Sequence, residues 1–529
     1  MNKTHLTRGE SAPRPRCSAH RAAAILLAIV LLLAALPLNA FAADSQEFRF
    51  SNYAKEGITF ELIGSELVIK NMPSTEAYSS VIVSIIDARG TTYYDEVLRP
   101  SADMSVRLSM SGLGDGKYFV ELYYWTGGIS YLSYIYGEEL EFTIKGGVAT
   151  FTVSPALEKN EKTLAAARTD SAALAYYLAP SYWIQSEDSA IVETARSVTA
   201  GLTTDYEKAV ALHDWVCNNV WYDYDTITTG VRVPGDALFT LNNRRGVCEG
   251  YANLYAALLR AVGIPAKYVI GYGMDYAEVA GWTASRLSGA EDNHAWNEVY
   301  IDGRWLVVDT TWNSGNEYRG GKFVRSDGLS GWRYFDATLA AFSIDHCIGI
   351  YDDPWIPQQD APASWAADAV ESAKALGILP RYLQIGYNLP MTRAEFCALA
   401  VAMFEKLNGE IDGREKFGDT GNINAEKAAS IGVVNGVGNG EFAPYNVLRR
   451  AAAATMLSRL ATALGKPLPQ QAPAFADNAK IDSWASDAVG QMQATGIMGG
   501  TGGNNFSPSD TYTRQQGIVT IMRLYELMK

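Results

Sequence analysis

The feature that most constrains this chain is a repeat near its C-terminus. A short motif ahead of a helical pattern recurs at Thr392-Arg-Ala-Glu395, Arg449-Arg-Ala-Ala452 and Thr513-Arg-Gln-Gln516, placing Arg393, Arg450 and Arg514 57 and 64 residues apart. Phe417-Gly-Asp419 and Phe475-Ala-Asp477 precede the second and third motifs. Ser364-Trp-Ala366 and Ser483-Trp-Ala485 open helical stretches that Gly377 and Gly496 close. Each unit reads as helix, loop, helix, and the three cover about 355–410, 413–468 and 472–529. Such periodicity has to be settled before any other fold assignment. The Gly436–Gly440 cluster lies inside a repeat and follows no strand, so it is no phosphate loop.

These landmarks resemble the S-layer homology domain, in three copies. The resemblance implies a pseudo-trimer of repeats attached to an anionic secondary polymer of a bacterial cell wall. Arg393, Arg450 and Arg514, near helix N-termini, could hold a polymer carboxylate through paired N–H donors. Trp365 and Trp484 could cover sugar faces, and Asp419 and Asp477 complete the candidate wall-binding set. The plainer alternative makes each Arg a packing residue and each Trp a core residue. The copies are unequal. The first lacks both Phe landmarks, and the second has no Trp and reads Arg-Arg-Ala-Ala.

With 529 residues the chain has room for about three or four domains. Its formal net charge of −14 argues against a nucleic-acid partner, which would need a basic stripe. Five cysteines make no disulfide framework, and no Cys/His spacing suits a metal. At the N-terminus, Lys3, Arg8, Arg14, Arg16 and Arg21 precede the uncharged run from Ala22 to Leu38, and Ala40-Phe41-Ala42 offers a peptidase site. Residues 1–42 therefore read as an export signal. Left uncleaved, a stretch of about 20 apolar residues would also span a bilayer. Between 45 and 154, short β-prone runs separated by turn residues predict a β-sandwich. The fold class expected for the chain is multidomain α+β: this sandwich, an α+β catalytic domain over 159–351, then helical repeats.

The chemistry-bearing segment begins at Arg245-Gly-Val-Cys248. From Cys248, apolar residues recur at helical spacing (Tyr251, Tyr255, Leu258, Val262) until Gly263 and Pro265 end the helix. Cys248 thus falls in the first turn, where free N–H groups and the helix dipole favour a thiolate and a neighbouring oxyanion. Downstream, Asp302-Gly303 between alternating segments predicts a two-residue hairpin. Pairing Ile301 with Arg304 puts His294, Trp296, Asp309 and Thr311 on one face, with His294 and Asp309 as diagonal neighbours. A carboxylate there orients an imidazole. His213 and Cys217, at i and i+4, have no third ligand nearby and read as packing.

GVCEGYANLYAALLRAVGIPAKYVIGY followed by NHAWNEVYIDGRWLVVDTTWN resembles the transglutaminase-like superfamily, over about 190–312. The resemblance implies a papain-type fold in which Cys248, His294 and Asp309 form a triad, with no cofactor or metal. It implies acyl transfer on peptide or protein amides, hydrolysis being favoured over cross-linking. Trp221 and Tyr251 are candidate oxyanion donors. The protein is then expected outside the cell on the wall of a bacterium, touching a membrane only if the signal segment is retained. The rival expectation is a non-catalytic surface protein with a degenerate triad module.

Overall fold

In the computed structural model the described residues are 47–49, 58–71, 80–98, 105–125, 131–274, 282–283, 287–288, 292–325, 331–351 and 361–529. The expected export signal and most of the Pro-rich spacer after 351 lie outside them. Among the described residues, no helix is long and apolar enough to cross a membrane.

Among the described residues nine strands come first: β1 (Glu47–Arg49), β2 (Thr59–Ile63), β3 (Glu66–Lys70), β4 (Ser80–Asp87), β5 (Thr92–Leu98), β6 (Val106–Ser109), β7 (Gly116–Trp125), β8 (Tyr131–Lys145) and β9 (Val148–Phe151). They form two antiparallel sheets, ordered β1-β2-β3-β6 and β5-β4-β7-β8-β9. Alternation decides which face is inside. Tyr118, Val120, Leu140, Phe142 and Phe151 are buried in a core shared with Phe60, Leu67 and Ile69 of the other sheet. Ala340 and Ala341, from the following unit, belong to the same core. Thr338 seals the junction, its Oγ1 accepting from Arg49 N (3.1 Å) and its own N–H donating to Arg49 O (2.9 Å).

The mixed α+β unit follows: α1 (Pro155–Ala165), α2 (Ser171–Tyr176), α3 (Ser189–Val198), α4 (Asp205–Asn219), β10 (Trp221–Asp223), α5 (Tyr224–Thr229), α6 (Ala237–Asn243), β11 (Arg245–Gly246), α7 (Cys248–Ala261), β12 (Ala266–Gly273), β13 (His294–Ile301), β14 (Arg304–Val308), β15 (Glu317–Arg319), β16 (Lys322–Val324), α8 (Leu339–Phe342) and β17 (His346–Tyr351). Helix α7 is buried on every side from Gly250 to Leu259, which makes it the central element. It lies on the antiparallel sheet β14-β13-β12-β17, and Asn297 of β13 donates to Ala252 O (3.0 Å). Gly263, at φ +85, turns the chain from α7 into β12. Across β12 and β13, Lys267 and Glu298 face each other and form a fully buried ion pair (2.9 Å) beneath Trp305.

The C-terminal region is helical: α9 (Ala367–Leu376), α10 (Arg393–Asn408), α11 (Ile423–Ser430), α12 (Arg450–Ala463), α13 (Ser483–Thr495) and α14 (Arg514–Met528). The segments leading into α10, α12 and α14 contact one another in a ring through the bridges Thr392↔Val447, Arg449↔Thr511 and Pro390↔Thr513. The repeated arginines close the same ring. Arg393 donates to Phe442 O and Asn435 O, Arg450 to Phe506 O and Gly499 O, and Arg514 to Ile385 O and Glu395. Each therefore braces the next unit, and the last braces the first.

Candidate active site

Cys248 is the first residue of α7. The preceding Val247 gives the helix no side-chain cap, unlike Thr204, which caps α4 in a reciprocal box with Glu207. The uncapped first turn keeps its N–H groups for a ligand or an anion beside the sulfur. Two glycines set its approach. A Cβ on Gly250 would lie 2.5 Å from Thr240 Oγ1, and one on Gly273 would lie 2.9 Å from Trp312 and 3.1 Å from His294. Cys248 is half-buried, whereas Cys217, Cys347 and Cys397 are buried.

The hairpin register is as the Asp302-Gly303 turn predicts, with Ile301 facing Arg304 and Asn297 facing Val308. The ladder stops there, one residue short of Asp309. Asp309 N instead donates to Tyr334 O (2.9 Å), because the 331–336 segment bridges to Val308 and draws the strand end away. His294 Nε2 still meets Asp309 Oδ2 at 2.7 Å. The Cys248 sulfur is near enough to help raise the proton affinity of the imidazole. Asp309 Oδ1 accepts from the N–H groups of Thr311 (2.8 Å) and Trp312 (3.1 Å), and the Trp312 ring stacks on His294 at 4.9 Å.

The electrostatics follow from this packing. Burial opposes a charge on His294, but the Asp309 carboxylate and the Cys248 sulfur more than offset it and carry the imidazole up to about 10. Burial likewise opposes the charge on Asp309, yet His294 and His346 hold its carboxyl well below the usual range. His346 is a residue whose role the sequence left unread. Its Nε2 lies 3.1 Å from Asp309 Oδ2 and its Nδ1 2.6 Å from Asp345 Oδ1. Asp345 in turn accepts from Tyr334 Oη (2.6 Å) and Arg333 (3.2 Å). His346 opens β17, paired to β12 and 52 positions beyond His294, so only its scarcity among histidines could have drawn attention to it. His294, Asp309 and His346 bring three atoms of metal-ligand type within 4.8 Å of one another. Their polar atoms are already bonded to one another, which leaves triad chemistry as the simpler use.

Of the two expected oxyanion donors, Tyr251 is turned away from the cleft and Trp221 keeps an unused N–H. Tyr251 is fully buried with its hydroxyl on Ser314 (3.3 Å). The Trp221 indole N–H is buried with no partner among the described residues. Its neighbour Tyr222 lines the cleft with His294, and burial together with the Cys248 charge raises its hydroxyl above the ordinary phenol range. His213 accepts from Asn313 Nδ2 (2.9 Å) and packs against Phe335, with burial lowering its proton affinity.

In the helical region Trp365 and Trp484 are 56% and 58% exposed. Asp419 accepts from the N–H groups of Phe442 and Ala443, and Asp477 from those of Phe506 and Ser507, so both shape loops.

Residues 192–310 match the profile of the Transglutaminase-like superfamily, and residues 474–516 match that of the S-layer homology domain. The chain carries a transglutaminase-like core domain and an S-layer homology domain. The second match is single and falls on the third repeat, where three copies were expected. The first repeat lacks the Phe landmarks and the second lacks the Trp, while both keep the arginine ring. Kyphoscoliosis peptidase of Mus musculus is 32% identical over 112 residues, covering 21% of this chain and 16% of that protein. Amylopullulanase of Thermoanaerobacterium thermosulfurigenes is 28% identical over 222 residues, covering 40% of this chain and 11% of that protein. The chain thus spans no more than 16% of the length of either relative. Among solved structures, a candidate cysteine protease from Cytophaga hutchinsonii is 21% identical, with 53% of this chain and 78% of that one covered at a TM-score of 0.22.

Proposed function

We propose that this cell-surface protein is a cysteine enzyme acting on peptide or protein amides through a thioester acyl-enzyme. The observation that carries the reading is His294 bonded to Asp309 (2.7 Å), with the Cys248 sulfur near enough to raise its proton affinity. A histidine titrating near 10 is an imidazolium at neutral pH, the partner a thiolate needs and the acid a leaving amine needs. The Cys248 sulfur attacks the amide carbonyl, and the carbonyl oxygen becomes an anion facing the uncapped first turn of α7. Tyr222 supports that anion by position, and Trp221 is the rival donor. As the C–N bond breaks, His294 gives its proton to the amine. Water then attacks the thioester, its proton passing to His294, and the acid leaves.

Iodoacetamide labelling tests the reading directly, because Cys248 is the half-exposed thiol among the described cysteines. Alkylation at neutral pH well above the rate of free cysteine is expected, with loss of the label in Cys248→Ala and a slower rate in Asp309→Asn. A Cys248 no more reactive than free cysteine would leave only a binding module. Mass spectrometry of peptides incubated with and without a primary amine then separates hydrolysis from transfer.

The S-layer homology domain implies binding to a secondary cell-wall polymer. Within it and its two sister repeats we assign the sugar contacts to the exposed Trp365 and Trp484. Arg393, Arg450, Arg514, Asp419 and Asp477 brace the loops of this region. Truncation after Pro362 should release the protein from isolated walls, and a truncated form that stays bound would refute attachment through this region.

A further inference from the structure

The two-sheet unit does more than precede the catalytic unit. In β7 and β8 the residues alternating with the buried set face outward, and the register places Phe119 opposite Glu141. Thr152 continues this row, since Thr152 N donates to Glu141 O (2.9 Å). Lys117, two positions before Phe119, lies on the same face and pairs with Glu141 Oε2 at 2.9 Å. All four line a cavity of about 1100 Å³ that His294, Thr311 and Trp312 also line. The outer face of one sheet is therefore one wall of the cleft that holds the candidate base. Its position is set by the Arg49–Thr338 hydrogen bonds and by Ala340 and Ala341 in the shared core.

The wall is polar and incompletely paired. Glu141 Oε1, Thr152 Oγ1, Trp282 Nε1 and Thr311 Oγ1 all belong to residues lining this cavity, and none has a partner among the described residues although each is buried. Such an orphan costs about 1–3 kcal/mol, so four around one cavity point to a ligand that supplies donors and acceptors. The volume exceeds the roughly 300–1,000 Å³ range of small-molecule sites. Both features suit an extended peptide. Its backbone would serve the two threonines and the indole, and Glu141 would accept from a donor-bearing side chain.

We propose that the two-sheet unit is the specificity wall of the active-site cleft, where Glu141, steadied by Lys117, selects a peptide carrying an ammonium or amide side chain close to the reacting amide. This rests on the cysteine-enzyme reading, and the test keeps the two apart. Acetylated tripeptidyl chloromethyl ketones differing only in lysine, glutamine or norleucine, with that residue scanned over the positions before the electrophile, report wall contacts. Iodoacetamide reports Cys248 alone. In the full chain at least one position should alkylate about tenfold faster with lysine or glutamine than with norleucine. Glu141→Ala should abolish that preference and leave the iodoacetamide rate unchanged. Glu141→Gln separates the donors, since loss of the lysine preference with retention of the glutamine preference marks an ammonium site. Equal rates for the three reagents at every position, or a preference that survives Glu141→Ala, overturn the specificity wall while leaving the nucleophile intact. An inert Cys248 in the unaltered protein overturns both readings.

Discussion

Asp309 is where the site's charges meet. One carboxylate accepts from two imidazoles on Oδ2 and two backbone amides on Oδ1, so it is ionised and has little freedom to turn. His346 acts through it, as a positioning residue. Replacing His346 with Gln should lower kcat about tenfold, roughly 1.4 kcal/mol, with KM unchanged. It should also move the acid limb of the pH profile upward, because His346 helps keep Asp309 ionised. A variant with lower kcat but an unmoved acid limb would reduce His346 to packing. The alkaline limb belongs to His294, whose folded value is raised above its usual 6.5. The stability this shift contributes is fully present below 6.5 and is lost as pH rises through about 10, so activity and thermal stability should decline together over that interval.

At the scale of elements, α7 and the hairpin have to meet within hydrogen-bonding distance, and two devices hold them. The first is the close approach of α6 to the start of α7 at Gly250. A methyl group there runs into Thr240, so Gly250→Ala should push the first turn outward and slow iodoacetamide labelling of Cys248. Adding Thr240→Ala should restore it; a double variant as slow as the single one would mean that the glycine acts through the helix backbone alone. The second is the buried Lys267–Glu298 pair that locks β12 to β13. Glu298→Gln removes the buried countercharge of Lys267 and should cost about 3–5 kcal/mol in urea unfolding, while Lys267→Met with Glu298→Leu should recover most of it. Equal stability of the single and double variants would show that the pair contributes only volume.

Across the whole molecule, the helical region is docked on the transglutaminase-like unit through its first and second repeats. Ser189 N donates to Gly421 O and Ile423 N to Glu187 O (both 2.6 Å), and the Glu187 carboxylate accepts from Tyr382, Asn422 and Asn424. Where the first and third repeats expose a tryptophan, the second turns Thr420–Asn424 toward its neighbour. Burial raises Glu187 above the ordinary carboxylate range, so the joint should tighten on mild acidification. A side chain at 421 would collide with Asp188. Gly421→Val should therefore split a single calorimetric transition into two, while Cys248 labelling persists. One unsplit transition would mean that the docking is too weak to couple the units.

Local pattern carried much of this molecule. The turn pair Asp302-Gly303 is enough to set the β13–β14 register, because side chains alternate with period two and Gly accepts the left-handed turn. The start of α7 at Cys248 and the spacing of the three arginine motifs are also written in the order of residues, since each depends on neighbours within a few positions. Other features depend on contacts between distant segments. His346 reaches Asp309 only when β17 pairs with β12, and Tyr222 rather than Tyr251 comes to the cleft because α7 buries the latter on every side. The arginines' hydrogen bonds to carbonyls of other repeats, the outward row Lys117, Phe119, Glu141 and Thr152 beside the candidate base His294, and the docking through Glu187 are likewise tertiary. Periodicity says which face of an element is apolar; it cannot say which polar face another part of the chain will meet.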